Sequence, residues 1–246
     1  MLVQQLSLYA AFSPAKLSQV LSTLSALTGM RPISLLEHHI VFSPTTATSA
    51  GAIAAPAGPP TAAPLESSRI DAHRDMLVDN DAEQDWCLTV ATLPESGKRP
   101  VQVQTLHSSQ LQFGPLFQYL RAIGYVYVYD YLERGHVFVH NGIVVVRVTQ
   151  IAPQEPLQLH EIATFDKNEV VATETVAQGR DVNAAKFVGT YVVHAYVDVK
   201  PGSGVDQDLL GKAQERLESI KYEIRSLLEL EIPDRSLLDP RVQIRR

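Results

Sequence analysis

Eight histidines, a single cysteine and 27 carboxylates are the side chains of this chain best able to ligate a metal or attack a substrate. Their spacing assembles little chemistry. His136 and His140 fall on one face of a strand, but four residues of extended chain hold them roughly 13 Å apart, too far to share one ion. His38 and His39 are adjacent, so in a strand they point to opposite faces. Ser13-Pro14-Ala15-Lys16 matches the S-x-x-K nucleophile pattern but lacks its companion motifs, and Ser13 is better placed as a helix cap. Cys87 follows Trp86 in a strand-like run with no basic neighbour, so it reads as a packed thiol. No G-x-S-x-G elbow and no G-x-x-x-x-G-K phosphate loop occurs. Strand carboxylates such as Glu37 and Glu174 stand alone, and Glu-x-Glu occurs only at Glu229–Glu231, at a helix end. The expectation is no catalytic residue, no cofactor and no metal.

Bulk properties narrow the class further. The 246 residues suit one large β domain or two small ones. A net charge of −6 and a pI near 5.7 argue against direct, sequence-specific DNA binding, which needs a basic stripe. One cysteine fits a reducing compartment. MLVQQLSLYAAF has neither a basic n-region nor a long apolar core, so it does not read as a secretory signal, and no run is long enough to cross a membrane.

The elements that must position any site are mostly strands. Leu2–Ala10 reads as a strand. Ser13-Pro14 opens a helix whose face is Leu17, Val20, Leu21, Leu24 and Leu27, with Gly29 closing it. Ile33–Phe42 returns to strand composition. Residues 43–84 read as an inserted disordered loop rich in Ala and Pro, too poor in apolar surface to offset its chain entropy. Trp86–Leu93 and Arg99–Leu106 are strands, and Leu111–Ile123 is a short helix ended by Gly124. Residues His160–Asp166, Val170–Ala177 and Ala184–Val199 read as further strands. An amphipathic helix then spans 206–231, with Leu210, Ala213, Leu217, Ile220, Ile224 and Leu227 as its seam.

The densest signal is Ile123–Ile151, nearly all β-branched and aromatic. Glu133-Arg134-Gly135 and Asn141-Gly142 read as two turns, making a three-stranded meander. A two-residue Asn-Gly turn pairs His140 with Ile143, Phe138 with Val145 and His136 with Arg147. One face then holds Val137, Val139, Val144, Val146 and Val148, joined by Tyr129 and Tyr131. The other carries Asp130 and Arg147 as a charge pair. Hairpins dominate, so the fold class is α+β: an antiparallel β-barrel flanked by helices, forming one domain over 1–246.

At FGPLFQYLRAIGYVYVYDYLERGHVFVHNGIVVVRV the chain resembles the central region of the Mediator subunit 18 family of fungi. The resemblance rests on Gly124-Tyr125, Glu133 and Gly135 through Phe138. In order it also takes in QQLSLYA, LSALTG, LLEHHIVFSP, Trp86, RPVQVQTL and the C-terminal amphipathic helix. It implies a barrel like that of the tunnel-type triphosphatases, placed in the head module of a nuclear coactivator bridging transcription factors to RNA polymerase II. It implies a heterodimer with Mediator subunit 20, a tether from the C-terminal helix of Mediator subunit 8, and contact with other head subunits. A triphosphatase of that type needs clustered inward carboxylates to hold a divalent metal, which the solitary strand acids do not offer. Two rivals follow: such a triphosphatase, or a barrel with a large apolar interior for a lipid or other small ligand.

Overall fold

The structure is a computed structural model that describes residues 1–45, 68–77, 86–97, 99–111, 116–153, 187, 189–200 and 207–241. Eight strands are described: β1 (Leu2–Phe12), β2 (Ile33–Pro44), β3 (Ile70–Asp75), β4 (Trp86–Ala91), β5 (Gln102–Leu111), β6 (Tyr125–His140), β7 (Val144–Pro153) and β8 (Tyr191–Val199). They close in the order β1-β5-β4-β3-β2-β6-β7-β8, every pair antiparallel, with β8 returning to β1. Closure satisfies the backbone groups that an open sheet of this width leaves at its edges.

Among the described residues three α-helices flank the barrel: α1 (Leu17–Thr28), α2 (Leu116–Ala122) and α3 (Gln207–Ile224). A 3₁₀ turn at Pro14–Lys16 precedes α1. Ser13 takes the extended backbone of a cap, although its side chain makes no capping hydrogen bond. Gly29, at φ 67°, closes α1 as its sequence position implies. Val20 and Leu24 of α1 and Ala213, Leu217, Ile220 and Ile224 of α3 bury against Leu6, Leu8, Val193, Ala195, Phe138, Val144, Val146 and Val148. On a separate part of the wall, Leu116 and Leu120 of α2 cover Ile40, Phe42, Ile70, Ala72 and Trp86. Eight strands leave an interior only wide enough for side chains, so the helix-covered face is the outside. The alternate residues of the same strands line the inside.

Four expectations change. First, Tyr125–His140 is one strand of 16 residues, so the meander is a two-stranded hairpin. Gly135 lies inside that strand, facing Thr149. A Cβ there would sit 2.1 Å from the Val148 carbonyl oxygen. The glycine serves close strand approach, not a turn.

Second, the Asn141-Gly142 turn forms with both residues at positive φ, and Ile143 N–H donates to the His140 carbonyl. The ladder nevertheless resumes at His140 opposite Val144, so Phe138 faces Val146 and Val137 faces Arg147. A one-residue slip exchanges the faces. His136, Phe138 and His140 share the outward face with Val144, Val146 and Val148, while Val137 and Val139 turn inward with Val145 and Arg147.

Third, β3 occupies part of the expected 43–84 loop, and Ser43 and Pro44 belong to β2. Only Ile70 and Ala72 give β3 an apolar face, too little for a sequence signal to separate from polar loop. Fourth, Leu111 ends β5, and α2 starts at Leu116. The expected strands His160–Asp166 and Val170–Ala177 lie outside the described residues.

Candidate functional site

The interior face of β2, β3, β6 and β7 carries a charged cluster. Each strand contributes through the two-residue repeat: Glu37 and His39 from β2, Asp71 and His73 from β3, Tyr131 and Glu133 from β6, Arg147 from β7. The registers bring them level. Glu37 faces Glu133, and His39 faces both Tyr131 and His73.

Arg147 Nη2 donates to Glu37 Oε2 at 2.5 Å and reaches Glu133 Oε2 at 3.2 Å. His39 sits between the acids. Its Nε2 lies 3.2 Å from both Glu37 Oε2 and Glu133 Oε2, and its Nδ1 lies 3.1 Å from both oxygens of Asp71. Ionised carboxylates only accept hydrogen bonds, so both ring nitrogens must donate and His39 is an imidazolium. Its ring stacks on Tyr131 (4.7 Å, 6°) and on His73 (5.2 Å, 22°). The Tyr131 hydroxyl donates to Asp71 Oδ2 at 3.5 Å.

The titration behaviour follows. Burial works against the charge on His39, but its bonds to Asp71, Glu133 and Glu37 outweigh it and raise the group to about 11. Burial also opposes charge on Glu37, yet His39 and Arg147 hold it down to about 2. Glu133 is lowered the same way. Burial, then the charge of His39, pushes His73 below the usual imidazole range. On β8, burial and then Arg147 take His194 down to about 4, so a neutral imidazole flanks the cluster. Burial raises the Tyr131 hydroxyl, with Asp71 and Glu133 adding to it.

These side chains are not sealed from solvent. Arg147 keeps 20% of its side-chain exposure and Asp71 36%. Among the described residues the interior around them is polar, which counts against the reading of a barrel with a large apolar lumen.

Two sequence expectations are corrected here. Asp130 and Arg147 do not pair, because they lie on opposite faces of the wall. Asp130 is buried outward, 3.0 Å from His38 Nε2, and accepts from the Tyr127 hydroxyl at 2.7 Å. Glu37 does not stand alone; its own strand gives it His39, and the β2-β6-β7 order gives it Glu133 and Arg147. The opposite orientations of His38 and His39 hold, one on Asp130 and one inside. Cys87 lies beside Thr89, with Sγ 4.0 Å from its Oγ1, and Glu231 bridges Tyr9 through the backbone. Glu174 lies outside the described residues. The signal for the cluster was the set of polar i, i+2 pairs, Glu37/His39, Asp71/His73 and Tyr131/Glu133. Only strand order shows that they meet.

A triphosphatase reading needs a divalent cation between inward carboxylates. Among the described residues Glu37 and Glu133 face each other directly, and the guanidinium of Arg147 already bridges them. The residues there do not fit a catalytic metal.

A family model described as Med18 protein matches residues 4–241. The chain belongs to this family. Its Med18 relatives include Mediator of RNA polymerase II transcription subunit 18 of Yarrowia lipolytica, 27% identical over 265 residues, covering 98% of this chain and 100% of the relative. The Aspergillus niger protein of the same name is 27% identical over 168 residues, covering 65% of this chain and 56% of its own length. A chain in the structure of the Schizosaccharomyces pombe Mediator head module superposes with a TM-score of 0.63 at 17% identity, covering 94% of this chain and 98% of that one. That likeness establishes the fold, a helix-flanked barrel.

Proposed function

We propose that this chain is a non-enzymatic scaffold subunit of the Mediator head module, linking regulators to RNA polymerase II transcription in the nucleus. The observation that carries the reading is the end-to-end alignment with subunit 18 of Yarrowia lipolytica. The internal chemistry agrees with it. Arg147 neutralises Glu37 and Glu133, which face each other, and His39 Nε2 is held between the same two acids. What remains useful to a coactivator is a rigid closed barrel that presents loops and helix surfaces to partners.

The finer reading is a heterodimer with Mediator subunit 20, tethered by the C-terminal helix of Mediator subunit 8, among other head subunits. Co-expression with subunit 20 and that helix, followed by sizing, tests it. A stable complex is expected. A chain that elutes alone in the presence of both would remove the reading. Metal-dependent release of phosphate from triphosphate substrates, lost in Glu133→Gln, would instead favour the triphosphatase.

A further inference from the structure

Asp71 and His73 are two residues apart on β3, so both face the interior. His39 of β2 is the direct cross-strand partner of His73, and its Nδ1 reaches diagonally to Asp71. Two neighbouring strands thus converge two imidazoles and a carboxylate, with ligand atoms all within 4.8 Å of one another. A strand residue, its i+2 neighbour and a cross-strand partner are what a sheet needs to offer three ligands to one ion.

A second observation concerns the far side of the His39 ring. Imidazoles that bind metal through one nitrogen usually donate the other N–H to a carboxylate, which fixes the tautomer and the ring plane. His39 Nε2 has two such acceptors in place, Glu37 and Glu133, both held by Arg147. The support that a metal-binding histidine requires is therefore already assembled. The other grouping of potential ligands, Glu37 and Glu133 around Nε2, is filled by the guanidinium. The open side of His39 is the side facing Asp71 and His73, and Asp71 is exposed enough to admit a hydrated ion.

We propose that the barrel interior binds one divalent cation of the zinc class through His39 Nδ1, Asp71 and His73, with water completing a tetrahedron. Two imidazoles and one carboxylate suit zinc, whereas magnesium demands oxygen ligands in an octahedron. The ion takes the place of the proton that His39 Nδ1 shares with Asp71, and that proton leaves to solvent. No oxidation state changes. The His39 and His73 rings must part from their stack to converge on the ion. The bound ion ties β2 to β3 across the described pairing, a structural role that goes beyond the scaffold reading and does not depend on it.

The test uses the full chain, tag removed and chelator-treated, titrated with Zn²⁺ by calorimetry and with Co²⁺ by visible absorption. Expected are saturable one-to-one binding, the intense bands of tetrahedral cobalt and a rise in melting temperature. Asp71→Asn and His73→Ala should each weaken binding at least about tenfold. His107→Ala, an exposed imidazole elsewhere, should leave it unchanged. Asp71→Asn is nearly isosteric and decides the matter if His73→Ala does not fold. Absence of saturable Zn²⁺ binding to the folded wild-type chain would overturn the proposal, as would binding undiminished in Asp71→Asn.

Discussion

Arg147 of β7 donates to Glu37 of β2 at 2.5 Å, although β6 stands between the two strands in the wall. The bond reaches over β6 on the interior face, so it reports the order β2-β6-β7 and the inward face the two residues share, rather than a cross-strand pair. Arg147→Met leaves Glu37, Glu133 and Asp71 facing one imidazolium. Removing one partner of such an ion cluster strands the others in a desolvated site, and the expected loss is on the order of 3 kcal/mol. Urea denaturation of the variant checks it; a midpoint unchanged from wild type would show that the interior is solvated enough to make the network negligible.

Asp130 and Arg147 provide the control. They occupy opposite faces, with Asp130 on His38 and Tyr127 and Arg147 on Glu37 and Glu133. Asp130→Asn and Arg147→Met should therefore combine additively, within about 0.5 kcal/mol. Glu37→Gln and Arg147→Met share a hydrogen bond and should couple by about 1 kcal/mol or more. Strong coupling in the first double-mutant cycle would contradict the observed register.

Gly135→Ala tests the close approach of β6 and β7. The added carbon meets the Val148 carbonyl at 2.1 Å and the Thr149 Cα at 2.8 Å, both backbone atoms that cannot swing aside. A loss of about 3 kcal/mol is expected, at the upper end of overpacking costs. Gly142→Ala meets no atom within 4 Å and strains only the positive φ of 68°, so it should cost about 1 kcal/mol. Thermal melts of the two variants, compared directly, decide whether the first glycine serves packing or a turn.

The metal-free chain should be most stable between its acid and alkaline limbs. Glu37 is held at about 2 when folded against 4.5 ordinarily. Its contribution is present above 4.5 and is lost as pH falls toward 2. His39 is raised from 6.5 to about 11, so its contribution is present below 6.5 and fades as pH rises toward 11. Melting temperature against pH should show both declines. Glu37→Gln should flatten the acid limb, and an acid limb identical to wild type would count against the described network.

The helices were legible because each carries its own period and punctuation. Leu17 through Gly29 supplies a face and a left-handed stop, and the 3–4 spacing from Leu210 to Ile224 becomes the seam that α3 buries. Strand identity was legible where β-branched runs were long. β3 escaped notice because Asp71, His73, Arg74 and Asp75 look like loop until β2 pairs with all four. The hairpin turn was identified by its residues and still misread in register, since Ile143 joined the turn rather than the ladder.

Local composition thus determined which segments could be strands, which could be helices, and that the whole would be a helix-flanked antiparallel barrel. The polar pairs Glu37/His39, Asp71/His73 and Tyr131/Glu133 carry no sign in the sequence of what each meets. The tertiary structure decided that. Which face of a strand is inside depends on a one-residue register, and which strands are neighbours depends on closure. Both rest on long-range contacts, strand pairing and the packing of α1, α2 and α3 against the outer wall among them, that no window of sequence contains.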